Sequence, residues 1–153
     1  MKFHIICIGK LKQSRAEASL IKDYLKKCHF QIQIVELEEK KNLPDLQMKE
    51  KEAELLLSKV PEGAKIIALD EHGDLLSSLK FSQKISDFQN ERVKDVCFLI
   101  GGAFGHGEAV KEKASFLLSF GRMTLPHFLA RVVLIEQLYR AQTLLDGHPY
   151  HKE

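Results

Sequence analysis

Along this chain, short continuous apolar runs alternate with longer stretches in which apolar side chains recur every three or four residues. Residues 2–8 read as a strand. Residues 13–28 read as a helix, with Leu20, Ile21, Tyr24, Leu25 and Cys28 on one face. Ile32, Ile34 and Leu37 alternate as a strand. Pro44–Asp45 opens a second helix buried through Leu46, Ala53, Leu56, Leu57 and Val60, and Pro61–Glu62–Gly63 stops it. Residues 65–69, KIIAL, form a short run of the kind found inside parallel sheets. Asp70 to Gly73 reads as a turn. Ser77 or Ser78 is placed to cap a helix with Phe81, Ile85 and Phe88 on its inner face. Val96 to Ile100 is the next buried strand, followed by a glycine-rich loop. A helix over Glu108–Leu118, a short strand over Phe120–Thr124 and a long last helix complete the pattern. Pro126 sits at the start of that last helix and Gly147 ends it.

Strands alternating with helices of this length predict an α/β fold around a mostly parallel sheet. There is no repeat, low-complexity tract or long linker, so residues 1–153 form one expected domain. In open α/β sheets, ligands collect beyond the carboxyl ends of the strands. Three loops are expected there: Leu69–Gly73, Gly101–Gly107 and Phe120–His127.

Composition narrows the class. Of 153 residues, 44% are hydrophobic and 29% charged, which suits a folded globule rather than a disordered chain. No apolar run approaches the roughly 20 residues that cross a bilayer. The run Ile5–Ile8 near the start is too short for a signal peptide and is followed by Gly9–Lys10. Cys7, Cys28 and Cys97 show no CxxC spacing, and two of them fall inside expected strands, which argues for reduced thiols in a cytosolic protein and against a zinc site. The net charge of +2 neither demands nor excludes nucleic acid.

The stretch Cys97–Val110, CFLIGGAFGHGEAV, carries four glycines just after an apolar run. A Walker loop needs Lys and Ser/Thr after its last glycine, but Glu108–Ala109 stand there, and a carboxylate repels phosphate. A dinucleotide fingerprint needs a third glycine, which is missing after Gly105–His106–Gly107. The chemistry that remains is close backbone approach to a ligand without phosphates, for which S-adenosylmethionine is the natural choice. The alternative is a loop whose glycines serve tight turns alone.

Five segments, in order across essentially the whole chain, carry a resemblance: IGKLK, LIGGAFG, MTLPH, RVVLIEQLYRA and HPYHKE. With them the sequence resembles the bacterial 23S rRNA pseudouridine N3-methyltransferases, the RlmH type of the SPOUT class. The resemblance implies a SPOUT-type α/β fold, with a mostly parallel sheet, helices on both faces and a C-terminal trefoil knot. It also implies a cytoplasmic homodimer that takes S-adenosylmethionine as methyl donor and acts on a pseudouridine of 23S rRNA in the assembled 70S ribosome, with no role for DNA, a membrane or a metal. By motif, Leu69, Gly101 and the run Phe120, Gly121, Arg122, Met123, Thr124 and Leu125 are expected to hold the cofactor.

An imide nitrogen is protonated at neutral pH and a poor nucleophile, so such a site needs a group that accepts or shares its proton. His127, at the start of the last helix, is the candidate base or base-orienting group. The resemblance places the tail over the partner subunit's pocket, with Tyr150 against the target base and Lys152 or His151 on a phosphate or carbonyl oxygen. Lys152 stands where the family often has Arg, which keeps the charge without the bidentate geometry. Arg131, Glu136 and Arg140 recur along the last helix, Glu136 and Arg140 at ion-pair spacing; their alternative role is at a dimer or RNA interface. Lys10 and Lys12 are weaker candidates for phosphate contact. His4, His29, His72 and His106 form no ligand-spaced set. Two rival readings stand beside this one: a tRNA-modifying enzyme of the same fold, and a ribosome-associated factor without catalysis.

Overall fold

The structure is a computed structural model that describes residues 1–152. Its elements, in chain order, are β1 Lys2–Ile8, α1 Ala16–Lys27, β2 Gln31–Leu37, α2 Asp45–Ser58, β3 Lys65–Leu75, α3 Ser78–Asn90, β4 Asp95–Ile100, α4 Glu108–Lys113, β5 Phe116–Ser119 and α5 His127–Leu145. The strands form one sheet in the order β2-β1-β4-β3-β5, and every neighbouring pair is parallel.

The apolar runs are continuous because both faces of the sheet are covered. On β1, Phe3, Ile5 and Cys7 point to one side, where they meet β4's Phe98, α3's Phe81 and Ile85, and α5's Leu134 and Leu138. Ile6 and Ile8 point to the other side and pack with Ala53 and Leu56 of α2 and Val110 of α4. Alternate residues of a strand thus feed two cores. Phe98 is fully buried, and truncating it to alanine costs about 3–5 kcal/mol. The Cys7 and Cys97 thiols are free and buried in these strands; burial pushes their pKa values up to about 11 and about 12, which leaves them unreactive. Among the described residues, no helix is long and apolar enough to cross a membrane.

Several expected elements shift. α4 ends at Lys113, and the apolar residues assigned to its end, Phe116 to Leu118, form β5 instead of the strand expected at Phe120–Thr124. The expected turn at Asp70–Gly73 is a bulge inside a longer β3: pairing with β5 breaks after Leu69 and resumes at Asp74. Gly73 is needed there, because a Cβ at this position would lie 2.6 Å from the backbone carbonyl carbon and oxygen of Leu117. Leu20 and Leu46, expected to face the core, are exposed. The remaining starts and stops follow the chain's own signals. Ser77 caps α3 by accepting from the Lys80 N–H at 3.1 Å, and Gly147, with φ +73°, lies just past the end of α5.

Candidate active site

The carboxyl ends of β3, β4 and β5 open into a cavity of about 750 Å³, within the range of small-molecule sites. The three expected loops do converge on it. Leu69 to His72 line one wall, Gly101 to His106 a second, and Phe120 to His127 a third. Of the eight residues expected to hold a cofactor, Leu69, Gly101, Phe120, Gly121, Met123, Thr124 and Leu125 reach the cavity; the Arg122 side chain is exposed and does not line it. Met123 lies at the cavity although 86% exposed. The apolar side chains at hand include Ile100, Leu118, Phe120 and Leu125; Asp70, Glu71 and Thr124, whose hydroxyl donates to Glu71 at 2.9 Å, lie on the β3 side, and Lys49 and Lys111 also line the cavity.

The second wall rests on two buried polar groups that local sequence does not single out. His106 is only 3% exposed. Its Nε2 lies 3.1 Å from the Leu99 carbonyl, which fixes the Nε2–H tautomer, and its Nδ1 has no partner. Burial holds this imidazole below the ordinary pKa, so it stays neutral. Glu52 of α2 packs beneath Gly102, where a Cβ would come within 2.9 Å of its Oε1; burial raises this carboxyl's pKa. Neither role is legible locally. A lone histidine between two glycines reads as loop, and Glu52 meets the glycine loop only in the folded chain.

His127 is the first residue of α5, and it is half-buried at the rim of the cavity. Burial first, and the nearby Arg131 guanidinium second, hold its pKa below the ordinary histidine value. It is therefore a neutral imidazole at pH 7, able to accept a proton. What holds it in place is Arg131, one turn further on. Arg131 is 1% exposed, donates through Nη1 to Glu36 at 2.6 Å and through Nη2 to the carbonyls of Gly9 at 2.6 Å and Ile8 at 3.3 Å. Arg131 is thus a buried clamp in this fold rather than a surface contact.

Tyr150 sits elsewhere in its own chain. Its ring packs edge-on to Tyr139 at 4.8 Å and under the Arg140 guanidinium at 4.7 Å, and its hydroxyl donates to Glu136 at 3.1 Å. Burial and the Glu136 carboxylate both raise the pKa of that hydroxyl. Arg140 also pairs with Glu136 at 2.6 Å and donates to His151 Nδ1 at 3.1 Å. This cluster lies along α5 about 13–20 Å from His127. The tail residues Tyr150 and Lys152 therefore do not meet His127 within one chain. Lys152 is exposed, and Glu153 lies outside the described residues. His4 pairs with Asp95 at 2.7 Å at the opposite end of the sheet.

The cavity is large enough for a small-molecule ligand, with apolar side chains, carboxylates and two lysines in its lining and a neutral imidazole at its rim. The profile of the family described as "Predicted SPOUT methyltransferase" matches residues 1–151. The protein named ribosomal RNA large subunit methyltransferase H from Paramagnetospirillum magneticum is 48% identical over 152 residues, covering 99% of each chain. Its namesake from Streptococcus uberis is 40% identical over 99% of this chain and all of its own. In three dimensions, the SpoU methyltransferase AviRb from Streptomyces viridochromogenes, solved with the cofactor AdoMet, superposes on the fold with a TM-score of 0.50 at 11% identity. That superposition covers 94% of this chain and 61% of AviRb. With a family profile spanning all but the last two residues, and relatives aligned end to end, this chain belongs to the SPOUT methyltransferase family.

Proposed function

We propose that this protein is an S-adenosylmethionine-dependent methyltransferase of large-subunit ribosomal RNA, acting at N3 of a pseudouridine in 23S rRNA within the assembled 70S ribosome of the cytoplasm. The observation that carries the reading is the cavity itself: a slot at the carboxyl ends of three strands, lined by three loops distant in sequence, with neutral His127 at its rim. The shared name of full-length relatives supplies the RNA class.

The residues present fit S-adenosylmethionine. Glu108 follows the last glycine of the second loop, where a Walker loop would carry its lysine, although Lys49 and Lys111 also line the cavity. Gly101 and Leu125 line the cavity, Ile100 and Leu118 offer an apolar slot, and Asp70 and Glu71 lie at the end where the cofactor's ammonium group is favoured, whereas the Gly121 N–H and carbonyl are already taken up by the Ser119 hydroxyl. When bound, this cofactor supplies an electrophilic methyl carbon. The chain's own task is to present and deprotonate the nucleophile. His127, neutral at pH 7, accepts the proton of an imide nitrogen as charge builds on it. Arg131, behind it, fixes the first turn of α5 so that the imidazole stays within hydrogen-bond reach of the cavity mouth.

We further propose a homodimer in which Tyr150 and Lys152 of one subunit close the cavity of the other. The distance between Tyr150 and the cavity of its own chain supports this. We also propose a trefoil knot in the C-terminal part. Its support is the path of residues 120–126. They leave β5 at one edge of the sheet and reach α5, which Arg131 ties to the end of β1, so they cross the carboxyl ends of β3 and β4.

The test is to incubate the protein with radiolabelled S-adenosylmethionine and ribosomes from a strain lacking it, then map the label. Label on a single pseudouridine of 23S rRNA is expected. Label on tRNA, or none on any RNA, overturns the assignment.

A further inference from the structure

We infer that the loop from Gly9 to Arg15 is a preformed phosphate-binding shelf that grips the RNA backbone beside His127. The inference rests on the RNA substrate proposed above and names the surface that holds it.

The loop is rigid for a connection of its length. Gly9 donates to the Leu37 carbonyl at 2.7 Å and takes φ +102°, a left-handed conformation that turns the chain sharply out of β1. Leu11 then buries its side chain in the core, 8% exposed, and its N–H donates to Glu36 at 2.8 Å. The same carboxylate oxygen holds Arg131. At the far end, Arg15 N–H donates to the Lys12 carbonyl at 3.1 Å, closing a turn that leads into α1.

Anchoring Leu11 inward sends its neighbours outward. Lys10 and Lys12 are exposed, and among the described residues neither has a carboxylate within ion-pair distance. The adjacent loop after β2 carries Glu38, Glu39, Lys40 and Lys41 and so adds no net charge. The unbalanced positive charge at this end of β1 therefore comes from the Gly9–Arg15 loop.

The loop also touches the catalytic turn. The Arg15 guanidinium lies over the Phe128 ring at 5.2 Å, and that ring meets His127 edge-on at 5.1 Å. A Cβ on Gly9 would lie 3.8 Å from the His127 ring. His127 thus has the cofactor cavity on one side and the basic loop on the other. A nucleotide whose base reaches His127 brings its own phosphate and the next within reach of Lys10 and Lys12. Because the loop backbone is already fixed, binding costs the side-chain freedom of the two lysines but no ordering of the loop itself.

The test uses the full chain. Lys10→Ala/Lys12→Ala is compared with wild type, with Lys10→Arg/Lys12→Arg, and with Lys94→Ala at the opposite end of the sheet. Binding to a single-stranded oligouridylate and to unmodified ribosomes is measured across salt concentrations. The double alanine variant should bind RNA about tenfold more weakly near 0.15 M salt, with a log–log salt slope smaller by about 0.7 for each phosphate no longer neutralised. The arginine variant should retain both, and Lys94→Ala should behave as wild type. Melting temperature and S-adenosylmethionine affinity by calorimetry should be unchanged in all variants. Unchanged RNA affinity and salt slope in the double alanine variant would overturn the inference, as would an equal loss in Lys94→Ala. Failure of the wild type to methylate RNA would sink the proposed activity, but the RNA-binding comparison would still decide the role of the shelf.

Discussion

Arg131 Nη1 meets Glu36 Oε2 at 2.6 Å across 95 residues of chain, and this contact, with the Nη2 bonds to the Ile8 and Gly9 carbonyls, locks the start of α5 to the ends of β2 and β1. The arginine is 1% exposed, so removing its carboxylate leaves a buried charge held by carbonyls alone. Glu36→Ala should destabilise the fold by about 3 kcal/mol, seen as a lower urea midpoint, and Glu36→Gln by less, since an amide oxygen still accepts. An unchanged urea midpoint in Glu36→Ala would show that the clamp is dispensable.

The buried imidazole of His106 and the half-buried one of His127 make the fold sensitive to acid. Burial lowers the pKa values of His106 and His127 from the ordinary 6.5. Below pH 6.5 the unfolded chain therefore binds more protons at these positions than the native one, and stability falls as pH falls. Melting curves between about pH 7.5 and 5.5 should show this loss, and His106→Gln, which keeps a donor towards Leu99, should show less of it. Parallel curves for the variant and the wild type would exclude His106 as a contributor.

His127→Ala should lower turnover by about 10²–10⁴-fold while leaving folding and cofactor affinity intact. Because the imidazole is already neutral at pH 7, the wild-type rate should be flat there and fall only as acid passes below the ordinary histidine range. Full activity in the variant would mean that another group handles the proton.

Mixed dimers test the division of labour between subunits. Tyr150→Ala and His127→Ala chains should each be inactive alone. Refolded together they should regain activity, because one cavity of the mixed pair then has both its own histidine and its partner's intact tail. No recovery would place Tyr150 and His127 in the same chain's site.

Gly73→Ala probes the β3 bulge that shapes one cavity wall. A methyl group there meets the Leu117 backbone, which cannot rotate away as a side chain can. The substitution should cost about 1–3 kcal/mol and weaken cofactor binding, measured by thermal melting and calorimetry.

Much of the fold is readable in the chain, and the parts that are not share a cause. Strands β1, β4 and the first half of β3 stand out because of their apolar runs, β2 by its alternation, and Ser77, Pro126 and Gly147 mark helix ends by local chemistry. Misreadings arise where tertiary contacts override local pattern. Phe116–Leu118 fits a helix by spacing, yet pairs with β3 because that edge is open. Asp70–Gly73 has turn composition, yet the strand resumes beyond it. The cavity's three loops follow from topology, and the likeness to a known family refines them residue by residue. The burial of Arg131 is out of reach: its partner Glu36 lies far away in sequence, and nothing around position 131 distinguishes a clamp from a surface arginine. Glu52 and His106 are hidden for the same reason.

The central claim is that main-chain groups of three distant loops form the methyl donor's slot beside His127. Crystals grown with S-adenosylmethionine or its demethylated product test it most directly. The ligand should lie between Leu69, Gly101 and Leu125, with its sulfur end turned towards the His127 side of the cavity. Ligand density at any other surface, or a cavity left vacant at saturating concentration, would contradict it.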